Sequence, residues 1–198
     1  VSGKAIVEAQ DGGMLLNSAD GGLHLLPADT IRSRKTDAKP LVMLTREQLT
    51  EHVLAELPPG FRVHDSKNYI VFYNTTRTYA EWSSSLLERL QRAFIAYWEK
   101  RGCKVKAPEQ PLVVLVFCDK ASYAEYSKAE LGAAVGNVIG YYSPHTNRTV
   151  MYDLTGMQAV RREGSSRGSL HDITDLLSQP EAEPLVATIV HEATHQIS

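Results

Sequence analysis

The sequence predicts an α+β protein with a mixed sheet, a long packing helix and a last helix that carries two histidines one turn apart. Apolar runs and amphipathic segments alternate from residue 69 onwards, which favours helices packed on a sheet. Leu112–Cys118 is a continuous valine-rich run, typical of a strand that is buried on both faces. Between Tyr79 and Arg101, large apolar residues recur at helical spacing.

Length and composition bound the classes of function. A chain of 198 residues can build one substantial core with a small appended module. Its net charge of −2 gives no electrostatic reason to expect nucleic acid or an anionic membrane as a partner. The longest apolar run, Pro111–Cys118, is too short for a membrane span. Cys103 and Cys118 are too few for a disulfide scaffold, and we expect free thiols, with a pairing left open.

The start of the chain carries no signal peptide. Because its first residue is Val1, we expect that an upstream segment was removed or left out, which leaves secretion or a periplasmic location open. Residues 1–45 predict a small β-meander in which Asp-Gly turns join three short strands. These strands are Lys4–Ala9, Met14–Asn17 and Leu23–Leu26. Three short strands bury little surface, so this module is expected to lean on the main domain, residues 46–198.

The main domain alternates helices and strands. Thr45 and Gln48 predict a capping box for a helix that runs to about Leu57. The long helix carries an apolar stripe that we expect in the core: Trp82, Leu86, Leu90, Phe94, Tyr97 and Trp98. The other predicted elements are the strand Tyr69–Tyr73, the helix Lys120–Leu131, a hairpin of Val138–Tyr142 and Arg148–Asp153, a short helix Leu170–Leu177, and a last helix that starts near Pro184.

The last helix contains the motif HExxH, formed by His191, Glu192 and His195. Histidines at i and i+4 share one face of a helix, so two imidazoles can bind one metal ion, most often zinc. Glu192 projects toward the same side and can take a proton from a water that the metal activates. The alternative is a solvated helix that happens to bear these residues. The motif indicates a zinc hydrolase that acts on a peptide or protein, with Glu192 as general base. Gln196 could support the site by binding nearby backbone.

The predicted hairpin is a second candidate site. An edge strand can bind an extended peptide by strand addition, and Val138–Tyr142 is short and follows glycines. Tyr141, Tyr142 or His145 could donate a hydrogen bond to a developing oxyanion. Alternatively, the tyrosines pack on the sheet and His145 is a turn residue.

Catalytic zinc usually has three protein ligands, and the motif supplies two. Asp153, His171, Asp172 and Asp175 precede the motif closely enough to be candidates for the third, whereas His24, His52 and His64 are expected at the surface. A third ligand downstream of Ser198, a glutamate or a histidine, is a simpler explanation than any of these upstream residues. We therefore expect residues 1–198 to be a truncated segment that lacks the third ligand, binds little metal and is inactive.

From about Pro59 to Ser198, two-thirds of its length, the chain resembles an uncharacterised family of zincins, known chiefly from planctomycete-type bacteria, in the peptidase MA superfamily. The matching residues are Tyr69-Ile70-Val71, Leu112–Phe117, Gly140-Tyr141-Tyr142 and His191 to Gln196. The resemblance implies a zincin-like subdomain, one zinc ion bound by His191 and His195, Glu192 as general base, and a downstream glutamate as third ligand, as in gluzincins. The alternative function is a non-catalytic binding or scaffold module that retains this fold.

Overall fold

The computed structural model describes residues 1–108, 110–157 and 168–198, whose strands form two sheets. The first sheet is antiparallel and contains β1 (Lys4–Glu8), β2 (Met14–Asn17) and β3 (Leu23–Leu26) in that order. The second contains β4 (Arg62–Asp65), β5 (Tyr69–Tyr73), β6 (Leu112–Phe117), β7 (Gly140–Ser143) and β8 (Arg148–Tyr152) in the order β4-β5-β6-β8-β7. β5, β6 and β8 are parallel, and β4 and β7 are antiparallel edges. The predicted α+β class with a mixed sheet is therefore confirmed.

Helices cover both faces of the second sheet. They are α1 (Arg46–Glu56), α2 (Arg77–Glu99), α3 (Lys120–Leu131), α4 (Leu170–Leu177) and α5 (Glu183–Ile197), with short 3₁₀ turns at Ala28–Thr30, Gly132–Asn137 and Leu154–Gly156. On β8, Arg148 pairs with Glu56 of α1 and the next residue, Thr149, bonds Gln196 of α5. Neighbouring strand residues point to opposite faces, so α1 and α5 lie on opposite sides of the sheet. α2 contacts both α4 and α5 and lies with them.

Local sequence signals explain where the helices begin. Thr45 accepts the Gln48 amide while the Gln48 side chain accepts the Thr45 amide, so the predicted capping box is present. Ser169 and Asp172 form a second capping box at α4. Pro184 lies in the first turn of α5, where its missing N–H costs no hydrogen bond. The central strands β5 and β6 are buried along their whole length, as their apolar runs predict.

The sequence prediction missed β4. Its residues, Arg-Val-His-Asp, contain one apolar side chain, so neither alternation nor hydrophobicity marks them as a strand. The strand forms by pairing with β5, from Arg62 opposite Tyr73 to Asp65 opposite Ile70. It is a strand by tertiary context alone.

The stripe on the long helix is core over only part of its length, so the prediction was wrong at its end. Trp82 is 6% exposed, whereas Tyr97 and Trp98 are 50% and 38% exposed. α2 has 23 residues and is about 35 Å long. Strands of five and six residues span only about 20 Å, so the last turns of α2 extend past the sheet.

The N-terminal sheet leans on the main domain, as expected. The Leu23 amide donates to His145 O at 3.0 Å in the turn of the β7–β8 hairpin. The Gln110 side chain donates to both Ala19 O and Leu44 O.

Cys103 and Cys118 are free and exposed. Among the helices in the described ranges, none has the length and apolar character required to cross a bilayer.

The position of α2 on the sheet can be tested with Leu87, which is fully buried. Leu87→Ala is expected to lower the free energy of unfolding by about 2–5 kcal/mol, because it leaves a cavity in the core. Urea denaturation measures the change. Leu54→Ala is the control, because Leu54 is 37% exposed on α1, and it is expected to cost less than about 1 kcal/mol. Equal losses for the two variants would contradict this packing.

Candidate functional site

The motif lies on the exposed side of α5. Ile189, Ala193 and Gln196 are buried, whereas His191 and His195 are exposed and Glu192 is half-buried. The buried positions follow one another at intervals of four and three residues, which is the spacing of a single helix face. The histidines therefore project from the opposite face, where a ligand can reach them.

The two imidazoles converge. Nε2 of His191 lies 3.2 Å from Nε2 of His195, and the ring planes are perpendicular. Two nitrogen ligands of one tetrahedral zinc ion are roughly 3.3 Å apart, because each zinc–nitrogen bond is about 2.0–2.1 Å long. A hydrogen bond between neutral rings has a similar length, so the distance fits both a shared zinc ion and a direct hydrogen bond between the imidazoles. The donor types and their separation suit zinc.

Glu192 is held by the edge strand of the sheet. The backbone amide of Tyr142, in β7, donates to Oε2 of Glu192 at 3.1 Å. This N–H points away from β8, since it bonds a side chain of α5 and not the neighbouring strand. The described residues provide no hydrogen-bond partner for Oε1, the second carboxylate oxygen. One oxygen of Glu192 is thus fixed, and the other can accept a proton.

Gln196 joins α5 to the sheet. Its Nε2 donates to Val113 O at 3.0 Å and to Asn147 O at 2.8 Å, and its Oε1 accepts from the Thr149 hydroxyl at 2.9 Å. The side chain is buried, and both the nitrogen and the oxygen of its amide are hydrogen-bonded. The prediction that Gln196 binds nearby backbone is therefore confirmed, although the sequence did not indicate that the bond reaches β6.

Asn147 was not predicted as part of the site. It has φ of 53°, a left-handed conformation that asparagine tolerates better than most residues. Its Oδ1 accepts from the Tyr142 hydroxyl at 3.1 Å, and its carbonyl accepts from Gln196. An asparagine between two strand signals marks a turn, but no sequence pattern predicts that this turn is bonded to the motif helix.

The three hairpin candidates lie in different environments. The Tyr141 side chain is buried beside Tyr123, with ring centroids 6.3 Å apart. Tyr142 is half-buried, and His145 is exposed in the turn, where its carbonyl binds the N-terminal sheet. Burial raises the pKa of the Tyr141 and Tyr142 hydroxyls above the ordinary value, so both are protonated at neutral pH. Only Tyr142 is joined to the motif directly, and the oxyanion role of the three remains a prediction.

The described residues do not complete a metal site. No group of three or more His, Cys, Asp or Glu side chains converges in residues 1–108, 110–157 and 168–198. Asp153 is buried and accepts from Thr75 and Thr155. Asp172 caps α4, and His171 pairs with Asp175 one turn further along this helix. Among the described residues, none of these upstream candidates converges with His191 and His195.

Comparison of the chain with family models, with curated proteins and with solved structures finds no match. Function is therefore inferred from the residues of the site. Two imidazole nitrogens, a carboxylate with one open oxygen and an edge strand can together bind a metal, accept a proton and align an extended chain.

The role of Gln196 can be tested by substitution. Gln196→Ala is expected to lower the free energy of unfolding by about 2–4 kcal/mol, because it leaves Val113 O, Asn147 O and the Thr149 hydroxyl unpaired. Chemical denaturation measures this change. Gln10→Ala, at an exposed position, is the control and is expected to change stability by less than about 0.5 kcal/mol. A Gln196 variant as stable as the control would show that the amide does not hold α5 on the sheet.

Proposed function

We propose that this protein is a zinc-dependent metallohydrolase of the peptidase type. His191 and His195 bind the metal, and Glu192 is the general base. The observation that carries the proposal is the convergence of the two Nε2 atoms, 3.2 Å apart, beside a carboxylate that the edge strand holds through the Tyr142 amide. The resemblance to zincins supports the same assignment and implies a glutamate as the third ligand.

The proposed zinc ligands and the proposed general base all lie on α5 and have different roles in hydrolysis. When bound, zinc supplies Lewis acidity, which acidifies a water molecule and polarises a carbonyl group. Glu192 accepts the proton of the attacking water on Oε1 and passes it to the leaving amine. The bond from Tyr142 fixes the carboxylate through Oε2 and leaves Oε1 to accept the proton. Exposure of both imidazoles leaves room for the substrate on the outer side of α5.

The substrate in this proposal is an extended peptide or protein segment beside β7. β7 is an edge strand, and its outward N–H and C=O groups offer the pattern that strand addition requires. The Tyr142 N–H is already bonded to Glu192, so in this proposal the peptide pairs with the other outward groups of β7, next to that contact. A peptide aligned on β7 would therefore have its backbone next to the general base, as hydrolysis of an internal peptide bond requires.

Zinc binding by residues 1–198 is expected to be weaker than about 1 µM, because zinc sites normally have at least three protein ligands. Isothermal titration calorimetry measures it. His191→Ala and His195→Ala should each abolish the remaining binding. The control is His171→Ala, which removes an exposed helical histidine that pairs with Asp175.

Two results would contradict the proposed ligand set. Sub-micromolar affinity would indicate a third ligand within residues 1–198. Zinc binding that survives both His191→Ala and His195→Ala would place the metal elsewhere and favour the alternative, a binding or scaffold module.

The native protein is expected to contain zinc by elemental analysis, and Glu192→Gln is expected to lower peptide hydrolysis by about a hundredfold or more. Glutamine can still accept the Tyr142 amide through its carbonyl oxygen but cannot accept the proton of the water. The zinc content of the variant should be unchanged. Glu183→Gln, at the other end of α5, is the matched control and should retain activity. Absence of zinc, together with undiminished hydrolysis by the Glu192 variant, would remove the proposal.

A further inference from the structure

A cavity of about 380 Å³ lies away from the motif, where the linker before α1 meets α2 and the start of β6. Three side-chain amides line it: Asn68, Gln91 and Gln110. Pro108 and Pro111 add apolar surface. Its volume is in the range of small-molecule sites, about 300–1,000 Å³. A cavity with so many amides is suited to a polar ligand.

Gln91 is the observation that points to a ligand. The residue projects from α2, is only 3% exposed and lines the cavity. Its side-chain amide forms no hydrogen bond in the described part of the chain and is not among the fully enclosed polar groups, so it is open to the cavity. A buried amide normally has partners, because an unpaired donor or acceptor is destabilising. Gln91 offers two donors and one acceptor to whatever fills the cavity.

The charge of the lining selects the kind of ligand. Two cationic residues, Arg46 and Lys67, are among the described lining residues. Arg46 pairs with Asp65 and donates to Ser66 O and Lys67 O, which fixes the loop that presents Lys67. Lys67 itself forms no ion pair within the described ranges.

The remaining wall is already fixed by hydrogen bonds. Gln110 donates to Ala19 O and Leu44 O, both at 3.1 Å, so its side chain is held between the linker and the N-terminal sheet. Asn68 donates twice to the carboxylate of Glu88, and Ser66 donates to the same group. These bonds compensate the charge of Glu88, so Lys67 is available for a ligand.

We propose that this cavity binds a small ligand that carries an oxyanion, a carboxylate or a phosphate. Lys67 contacts the anion, and Gln91 hydrogen-bonds a neighbouring polar group. This site is independent of the metal motif, and nothing in it requires zinc.

Inorganic phosphate and acetate are the probes, added separately to the full 198-residue chain and followed by ¹⁵N NMR titration. Shifts are expected at residues 45–46, 67–68 and 110, and the probe that binds more tightly identifies the anion. Lys67→Met should weaken binding about threefold to tenfold, through loss of a charge-assisted hydrogen bond. Lys128→Met, at an exposed position of α3, is the control and should leave binding unchanged.

Gln91→Leu distinguishes a ligand-binding amide from a structural one. If the amide awaits a ligand, a leucine of similar size should raise the unfolding temperature and weaken probe binding. A lower unfolding temperature with unchanged probe binding would overturn the proposal. Absence of shifts around the cavity with both probes would overturn it as well.

Discussion

The attachment of Gln196 to the sheet is the constraint on which the site depends. Three hydrogen bonds tie this side chain to Val113, Asn147 and Thr149, so α5 can neither slide nor rotate without losing them. Successive residues of a helix are rotated by about 100°. With Ala193 and Gln196 turned inwards, His191 and His195 lie roughly 160–200° from Ala193 and must face outwards. Glu192 lies between these faces, where it meets β7. The outward orientation of His191 and His195 is thus a consequence of the burial of Ala193 and Gln196 on the other side of the helix.

The edge position of β7 adds a second requirement. An edge strand exposes backbone N–H groups that invite pairing with another chain. Here the Tyr142 N–H is satisfied by Glu192, a side chain from a different element. The same contact aligns the proposed general base and marks where an extended substrate would begin to pair. This one hydrogen bond therefore satisfies the edge strand and also orients the proposed general base. A change at Tyr142 or Glu192 would affect both.

Most of the secondary structure could be predicted because local signals agree with the fold. The Thr45 capping box, the apolar run of β6 and Pro184 at the start of α5 act over a few residues, and each specified its element. β4 and the exposed end of α2 could not be predicted, since one depends on pairing with β5 and the other on the length of the sheet. In the site, HExxH indicated His191, Glu192 and His195 because their spacing is helical. Asn147 and the partners of Gln196 lie far away in sequence, so no local pattern marks them.

The N-terminal sheet belongs to the frame of both proposed sites. His145 O accepts from Leu23 in the hairpin turn that also contains Asn147, a partner of Gln196. Gly21, with φ of 87°, approaches the same region so closely that a Cβ there would lie 2.9 Å from Gln110 Oε1 and 3.5 Å from Asn147 Nδ2. Only glycine combines this conformation with this spacing at low cost. One tight turn of the small sheet therefore supports the wall of the cavity on one side and the hairpin beneath the motif helix on the other.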